Sequence, residues 1–330
     1  MISETLPKFI QCRNVIFLYY YIKMQFHDGV YTVLMTPFHN DGTIDFESYA
    51  NLIHKQIEST ITGLVVLGTT SESPTLDADE KIRLVQFVHE FIKTTGKKLV
   101  VGIGGNNTFE TINFGRAVSS YCDSMMVTVP HYNKPSQEGI YRHFSTICSD
   151  EGIKHKPIIL YNIPSRTGVN MTTRTIKRIC EHNSNVCAIK EASGSINQVM
   201  EIISECNIKV FSGDDSMTIP ITSVGGCGTI SVLGNICPDI ITRVFENCRK
   251  NHYDVARELY KTVYDLVQVL FIESNPTPGK LILNLMNIFQ TSRVRLPLTA
   301  VTNENRSIIE SAYRNFVKSA HLTESKKIKN

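Results

Sequence analysis

The chain has 330 residues, 42% hydrophobic and 20% charged, an ordinary globular composition and enough chain for one large α/β barrel or two average domains. Its formal net charge is +3, with lysine and arginine scattered except in the tail KSAHLTESKKIKN, so the clustered basic face of a nucleic-acid binder is not expected. The nine cysteines form no CxxC pair and no Cys/His spacing of a zinc site, and the histidines are dispersed, which predicts free thiols in a reducing cytoplasm and no metal; no cofactor is expected either.

The N-terminal stretch MISETLPKFIQCRNVIFLYYYIKM carries an apolar and aromatic patch, VIFLYYYI. That patch falls well short of the roughly 20 residues that cross a bilayer. It has neither a clearly positive n-region nor a small-residue cleavage site, so neither a membrane anchor nor a secretory signal is expected. Residues 1–26 are read as a dispensable extension of unknown role.

Beyond it, short apolar runs alternate with longer amphipathic stretches. The runs are VYTVLM (30–35), GLVVLG (63–68), KLVVGIG (98–104), SMMVTV (124–129), PIILYN (157–162), VCAIK (186–190), IKVFSG (208–213) and GTISV (228–232), eight in all. Each is apolar almost throughout, as expected for a parallel sheet covered on both faces. Between them lie helix-like segments such as DFESYANLIHKQIES, DADEKIRLVQFVHEFIKTT and SQEGIYRHFSTICSD; several open on N-cap residues, with Asp77, Thr108, Ser136 and Ser195 as candidates. Strand then helix, repeated eight times in about 250 residues, predicts a (β/α)8 TIM barrel. An open doubly wound sheet is the alternative on pattern alone. After GTISV come ITRVFENCRKN, HYDVARELYKTVYDLVQVLFI, GKLILNLMNIF and NRSIIESAYRNFVKSA, more helix than one closing helix requires. The expected division is a catalytic barrel at 27–250 and a C-terminal helical region at 251–330.

In such barrels the active site lies at the C-terminal ends of the strands. There the sequence places GTTSES after strand 2, PHYNKPSQEG after strand 4, YNIPSRTG after strand 5, Lys190 at the end of strand 6, SGDD after strand 7 and Ile230 on strand 8. A lysine in the barrel mouth, dried by apolar walls, has a lowered pKa, and its neutral amine can attack a carbonyl carbon. A pairing of Lys190 with Glu191 is the competing explanation, weakened by strand alternation, which points the two side chains apart. Thr69, Thr70, Tyr132 and Tyr161 sit on segments that converge at the mouth and could shuttle protons. Arg166, after the rigid Pro164, could hold a carboxylate bidentately.

The segments GTTSES, VPHYNKPSQEGIYRHF, LYNIPSRTG, IKEASG, SGDD and NPTPGK, in this order between about Gly29 and Thr302, together resemble the dihydrodipicolinate synthases of the N-acetylneuraminate lyase superfamily, class I aldolases on a (β/α)8 barrel. The resemblance implies that Lys190 forms a Schiff base with pyruvate, that Tyr161 donates and accepts protons there, and that Thr69 and Tyr132 complete a relay. It implies that Tyr132 reaches a neighbour's site across a tight dimer interface, within a homotetramer built as a dimer of dimers. Thr70 and the backbone at Ile230 would contact pyruvate, and Arg166 would take the carboxylate of L-aspartate 4-semialdehyde, giving 4-hydroxy-tetrahydrodipicolinate for diaminopimelate and lysine synthesis. An N-acetylneuraminate lyase or a 2-keto-3-deoxy sugar acid aldolase of the same superfamily is the alternative, with Arg166 favouring the synthase. A non-catalytic barrel that binds a keto acid is a third reading, opposed by the presence of every catalytic side chain.

Two positions depart from the family pattern. Ser71 stands where the family has a second glycine, which would strain the chain if that position needs positive φ and otherwise merely adds a hydroxyl near the pocket rim. His131 replaces a tyrosine that borders the lysine-inhibitor cleft of feedback-regulated members. In that cleft Asn106 and Glu110 match, but Ala78 and Lys81 stand where sensitive members often have histidines, so lysine inhibition is expected to be weak or absent.

Overall fold

The computed structural model describes residues 26–327; the VIFLYYYI patch lies outside them. Eight strands are present: β1 Gly29–Val33, β2 Gly63–Val66, β3 Lys98–Gly102, β4 Ser124–Thr128, β5 Ile158–Asn162, β6 Val186–Glu191, β7 Lys209–Ser212 and β8 Gly228–Ser231. All neighbours pair in parallel, and β8 returns to β1 with Gly29 opposite Gly228 and Tyr31 opposite Ile230. The sheet is therefore closed, and the open-sheet alternative is excluded.

The helices that cover the barrel are α1 Phe46–Glu58, α2 Ala78–Ile92, α3 Thr108–Val118, α4 Gln137–Cys148, α5 Thr173–His182, α6 Ile196–Glu205, α7 Thr218–Ser223 and α8 Pro238–Arg249. Their starts follow local chemistry. Asp77 and Glu80 form a reciprocal capping box on α2, and the Ser136 and Ser195 side chains accept from the N–H groups of Gly139 and Gln198. Helix α3 differs from the sequence expectation: its cap is Asn107, which accepts from the N–H of Phe109 at 3.0 Å and of Glu110 at 3.4 Å. Thr108, expected to cap, is the first helical residue, and its hydroxyl pairs with His143 Nδ1 at 2.8 Å. Two cap-type residues in tandem hide which one ends the loop.

Strand alternation sorts the apolar side chains into two cores. Inside the barrel pack Phe26, Tyr31, Val65, Met126, Ile159 and Phe211, among others, while a larger shell lies between the sheet and the helices. Beyond α8 the chain forms α9 Tyr253–Val269, α10 Thr277–Leu285 and α11 Asn303–Lys327, with α9 packed on both α8 and α11. This is the expected C-terminal helical region. Its segment around α10 returns to the barrel mouth, which matters for the site.

Candidate active site

Tyr161 and Lys190 face each other across the β5–β6 pairing, in register, and both project into the barrel interior near its C-terminal end. Lys190 is only 5% exposed, and its Nζ lies 4.2 Å from the centre of the Tyr161 ring. Burial pulls the amine down to about 7; Asp215 opposes that shift, Arg166 adds to it, and Asp214 opposes it. Roughly half of the amine is then neutral at neutral pH. Glu191 is no partner for it: that carboxylate lies on the opposite face and accepts from Asn162 Nδ2 at 3.0 Å and from the Ser193 N–H at 2.7 Å.

Burial pushes the Tyr161 phenol up to about 12, against the pull of Arg166 and of a hydrogen bond with Thr69. The phenol therefore stays protonated at neutral pH and can donate. Thr69 opens a 3-10 turn, Thr69–Ser71, directly after β2. In the same turn Thr70 is buried, and its hydroxyl accepts from Asn275 Nδ2 at 2.9 Å. Ser71 does not meet the condition for strain, because its position has no positive φ. The left-handed residue is its neighbour Glu72, at φ 55°, while Ser71 belongs to the 3-10 turn and its hydroxyl donates to the Leu34 carbonyl at 2.7 Å.

Arg166 sits on a helical turn, Pro164–Thr167, after β5. Its guanidinium is exposed yet close enough to act on both Lys190 and Tyr161. Ile230 is fully buried on β8. Tyr132 is not brought to these groups by its own chain. Its ring is 86% exposed, its backbone is left-handed at φ 68°, and its N–H donates to the Thr167 carbonyl at 3.3 Å. A bulky residue in that backbone region is strained, a condition that surrounding structure must enforce. His131 beside it is exposed as well.

Several residues with a clear part in the site were not assigned one from the sequence. Asp215, fully buried, accepts from the N–H groups of Val232 and Leu233 at 2.9 and 2.8 Å and from the Ser231 hydroxyl, so it fixes the chain just after Ile230. Gly213 lies against Lys190: a Cβ there would stand 3.1 Å from the lysine Cε and 2.7 Å from Ala192 Cβ. Glu72 forms a buried ion pair with Lys280 of α10 and accepts from the Arg295 N–H at 2.9 Å, tying the helical region to the Thr69–Ser71 turn. The segments SGDD and NPTPGK are part of the family likeness, but spacing alone does not say which member points where.

A separate cavity of about 630 Å³, lined by Lys177, Cys180, Cys187, Cys206 and Lys209, opens at the other end of the barrel, where β6 and β7 begin. It holds none of the groups above. Among the described residues no group of three or more His, Cys, Asp or Glu side chains is arranged to hold a metal ion.

The fold and the mouth define a class: a (β/α)8 barrel with a dry amine on strand 6, set against a protonated tyrosine. The sequence profile of the Dihydrodipicolinate synthetase family matches residues 26–315, and the chain belongs to that family. It is 38% identical over 286 residues to the 4-hydroxy-tetrahydrodipicolinate synthase of Methanococcus vannielii, covering 86% of this chain and 96% of that one. It is similar to the solved 4-hydroxy-tetrahydrodipicolinate synthase of Methylacidiphilum fumariolicum SolV, with a TM-score of 0.86 and 36% identity over 90% of this chain and 98% of that one. DHDPS from Cyanidioschyzon merolae, solved with lysine bound, matches at a TM-score of 0.85 and 33% identity, covering 88% and 99% of the two chains.

Proposed function

We propose that this chain condenses pyruvate with L-aspartate 4-semialdehyde to give 4-hydroxy-tetrahydrodipicolinate, the committed chemistry of diaminopimelate and lysine synthesis. The observation that carries the reading is the buried Lys190 amine, held down to about 7 against the Tyr161 ring. The neutral Nζ attacks C2 of pyruvate, and the carbinolamine loses water to a protonated imine. That imine draws electrons from the methyl group, which loses a proton to become an enamine. The enamine carbon attacks the aldehyde; the amino group of the second substrate then attacks the imine carbon, closing the ring and releasing Lys190. One water leaves for each product formed.

Tyr161 donates and accepts the protons of carbinolamine dehydration and of the aldol step, through its hydrogen bond with Thr69. Thr70 and the backbone at Ile230 contact the pyruvate moiety. Arg166, exposed at the rim, takes the carboxylate of the incoming semialdehyde, where a bidentate guanidinium pairing favours an acid over a polyhydroxylated sugar. Tyr132 completes the relay in the site of a neighbouring copy, within a homotetramer built as a dimer of dimers; its exposed ring and strained backbone support that role. Residues 27–250 form the catalytic unit, 251–330 the helical region and 1–26 an extension. The cytoplasm is the compartment, in keeping with free thiols; among the described residues no helix is long and apolar enough to cross a membrane.

Incubation with pyruvate and borohydride is expected to leave a reduced adduct on the Lys190 peptide, and an unmodified peptide rejects the imine. A panel of L-aspartate 4-semialdehyde, N-acetylneuraminate and 2-keto-3-deoxygluconate tests the second substrate: faster turnover of either sugar acid overturns it.

A further inference from the structure

The segment NPTPGK, part of the family likeness, has no place in the chemistry above, yet it grips the turn that carries Thr69 and Thr70. Asn275 is 6% exposed and donates from Nδ2 to Thr70 Oγ1 at 2.9 Å, across 205 positions of sequence. Further along the segment, Lys280 pairs with Glu72 at the far end of the same turn. A threonine hydroxyl has one proton and two lone pairs. With a lone pair engaged by the Asn275 amide, the Thr70 proton must point elsewhere, and the hydroxyl becomes a donor of fixed direction. The other amide atom, Oδ1, is buried and has no hydrogen-bond partner among the described residues.

We propose that Asn275 is a positioning residue whose amide holds the Thr70 hydroxyl as a donor to the carboxylate of the keto acid bound on Lys190. The inference rests on the reading of Lys190 as the imine-forming residue and Thr70 as a pyruvate contact. Substituting Asn275→Asp keeps the shape but replaces the donor with an acceptor, which captures the Thr70 proton and sets a negative charge beside the substrate carboxylate.

The test measures KM for each substrate, kcat and borohydride trapping in the full-length protein. Asn275→Asp is expected to raise KM for pyruvate about tenfold or more, the loss of a hydrogen bond to a charged group, with KM for the semialdehyde unchanged. Asn275→Ala should raise the pyruvate KM in the wild-type background and change it less than about twofold in a Thr70→Val background, because the two act through one contact. An equal effect in both backgrounds, or an Asn275→Asp variant with an unaltered pyruvate KM, overturns the proposal. Wild-type protein that yields no Lys190 adduct rejects the imine reading instead, independently of Asn275.

Discussion

Lys190 and Tyr161 are opposite one another on adjacent parallel strands, with the ammonium nitrogen 4.2 Å from the ring centre. Each shapes the other's surroundings: the ring excludes water from the amine, and the dry pocket keeps the phenol protonated. This one pairing leads to the first two predictions.

The rate of imine formation should depend on the fraction of neutral Lys190. Because burial lowers its pKa to about 7, kcat/KM for pyruvate is expected to rise with pH through a midpoint near 7, not near 10 as for a solvated lysine. A pH profile of pyruvate adduct formation checks this; a midpoint above 9 contradicts it. The same depressed pKa has a stability counterpart. The unfolded chain binds the lysine proton more tightly than the folded one, so Lys190 weakens the fold below about pH 10, fully so below 7. Lys190→Met should abolish turnover while raising the melting temperature at pH 6.

Tyr161→Phe keeps the ring over the amine and removes only the hydroxyl. Its kcat should fall about 10²- to 10⁴-fold, the usual range for a lost acid–base group, while borohydride still traps pyruvate on Lys190, more slowly. Comparison of trapping rate with turnover separates the two effects, and turnover within about twofold of wild type would remove Tyr161 from the proton pathway.

The Glu72–Lys280 pair is buried on both sides, and Lys280 Nζ also donates to the Arg293 carbonyl at 2.9 Å and lies 4.1 Å over the Phe38 ring. Removing one partner strands a charge in the interior. Lys280→Met alone should therefore lower stability by about 3–5 kcal/mol, and the double variant with Glu72→Gln should recover most of it. Urea unfolding of wild type and the two variants measures the difference; equal stabilities for the single and double variants would show that the pair is not coupled.

Ser71→Gly restores the family residue but removes the hydroxyl that donates to Leu34. Since the left-handed position is Glu72, glycine at 71 relieves no strain and adds freedom to the unfolded chain. A loss of about 1–2 kcal/mol is expected, and a gain in thermal midpoint would contradict the assignment of the turn.

Lys81 is half-buried on α2, with Asp77 and Glu110 favouring its charged form against a larger effect of burial. A cation already beside Glu110 repels a lysine effector, in keeping with the expectation of weak feedback. Micromolar L-lysine should leave the rate of the purified enzyme unchanged, and strong inhibition at that level would overturn the expectation.

The sequence carried the barrel well because its strands are apolar on both faces and its helices begin at recognisable caps. Lys190 stood out for a related reason: an ammonium that closes an apolar run has to be paired, exposed or deprotonated. What the sequence did not carry were contacts between distant segments. Asn275 and Thr70 are 205 positions apart, and nothing in either local pattern names the other. Asp215 was one of two adjacent aspartates, and only the closed sheet shows which of them turns inward to hold the end of β8. Whether Ser71 is strained was open in the sequence, because a motif marks a turn without saying which member takes positive φ; that member is Glu72.

The hold of Asn275 and Lys280 on the turn at Thr70 and Glu72 also bears on how the protein is made. The first strand finds its last neighbour only at Gly228, and the turn at Thr69–Ser71 gains its second support later still. Such distant closures are slow, because much of the chain must be ordered before any contact rewards it. A polypeptide emerging from the ribosome therefore cannot close its barrel before Gly228 is out, and one released before Asn275 would carry Lys190 and Tyr161 without the segment that braces the turn beside them.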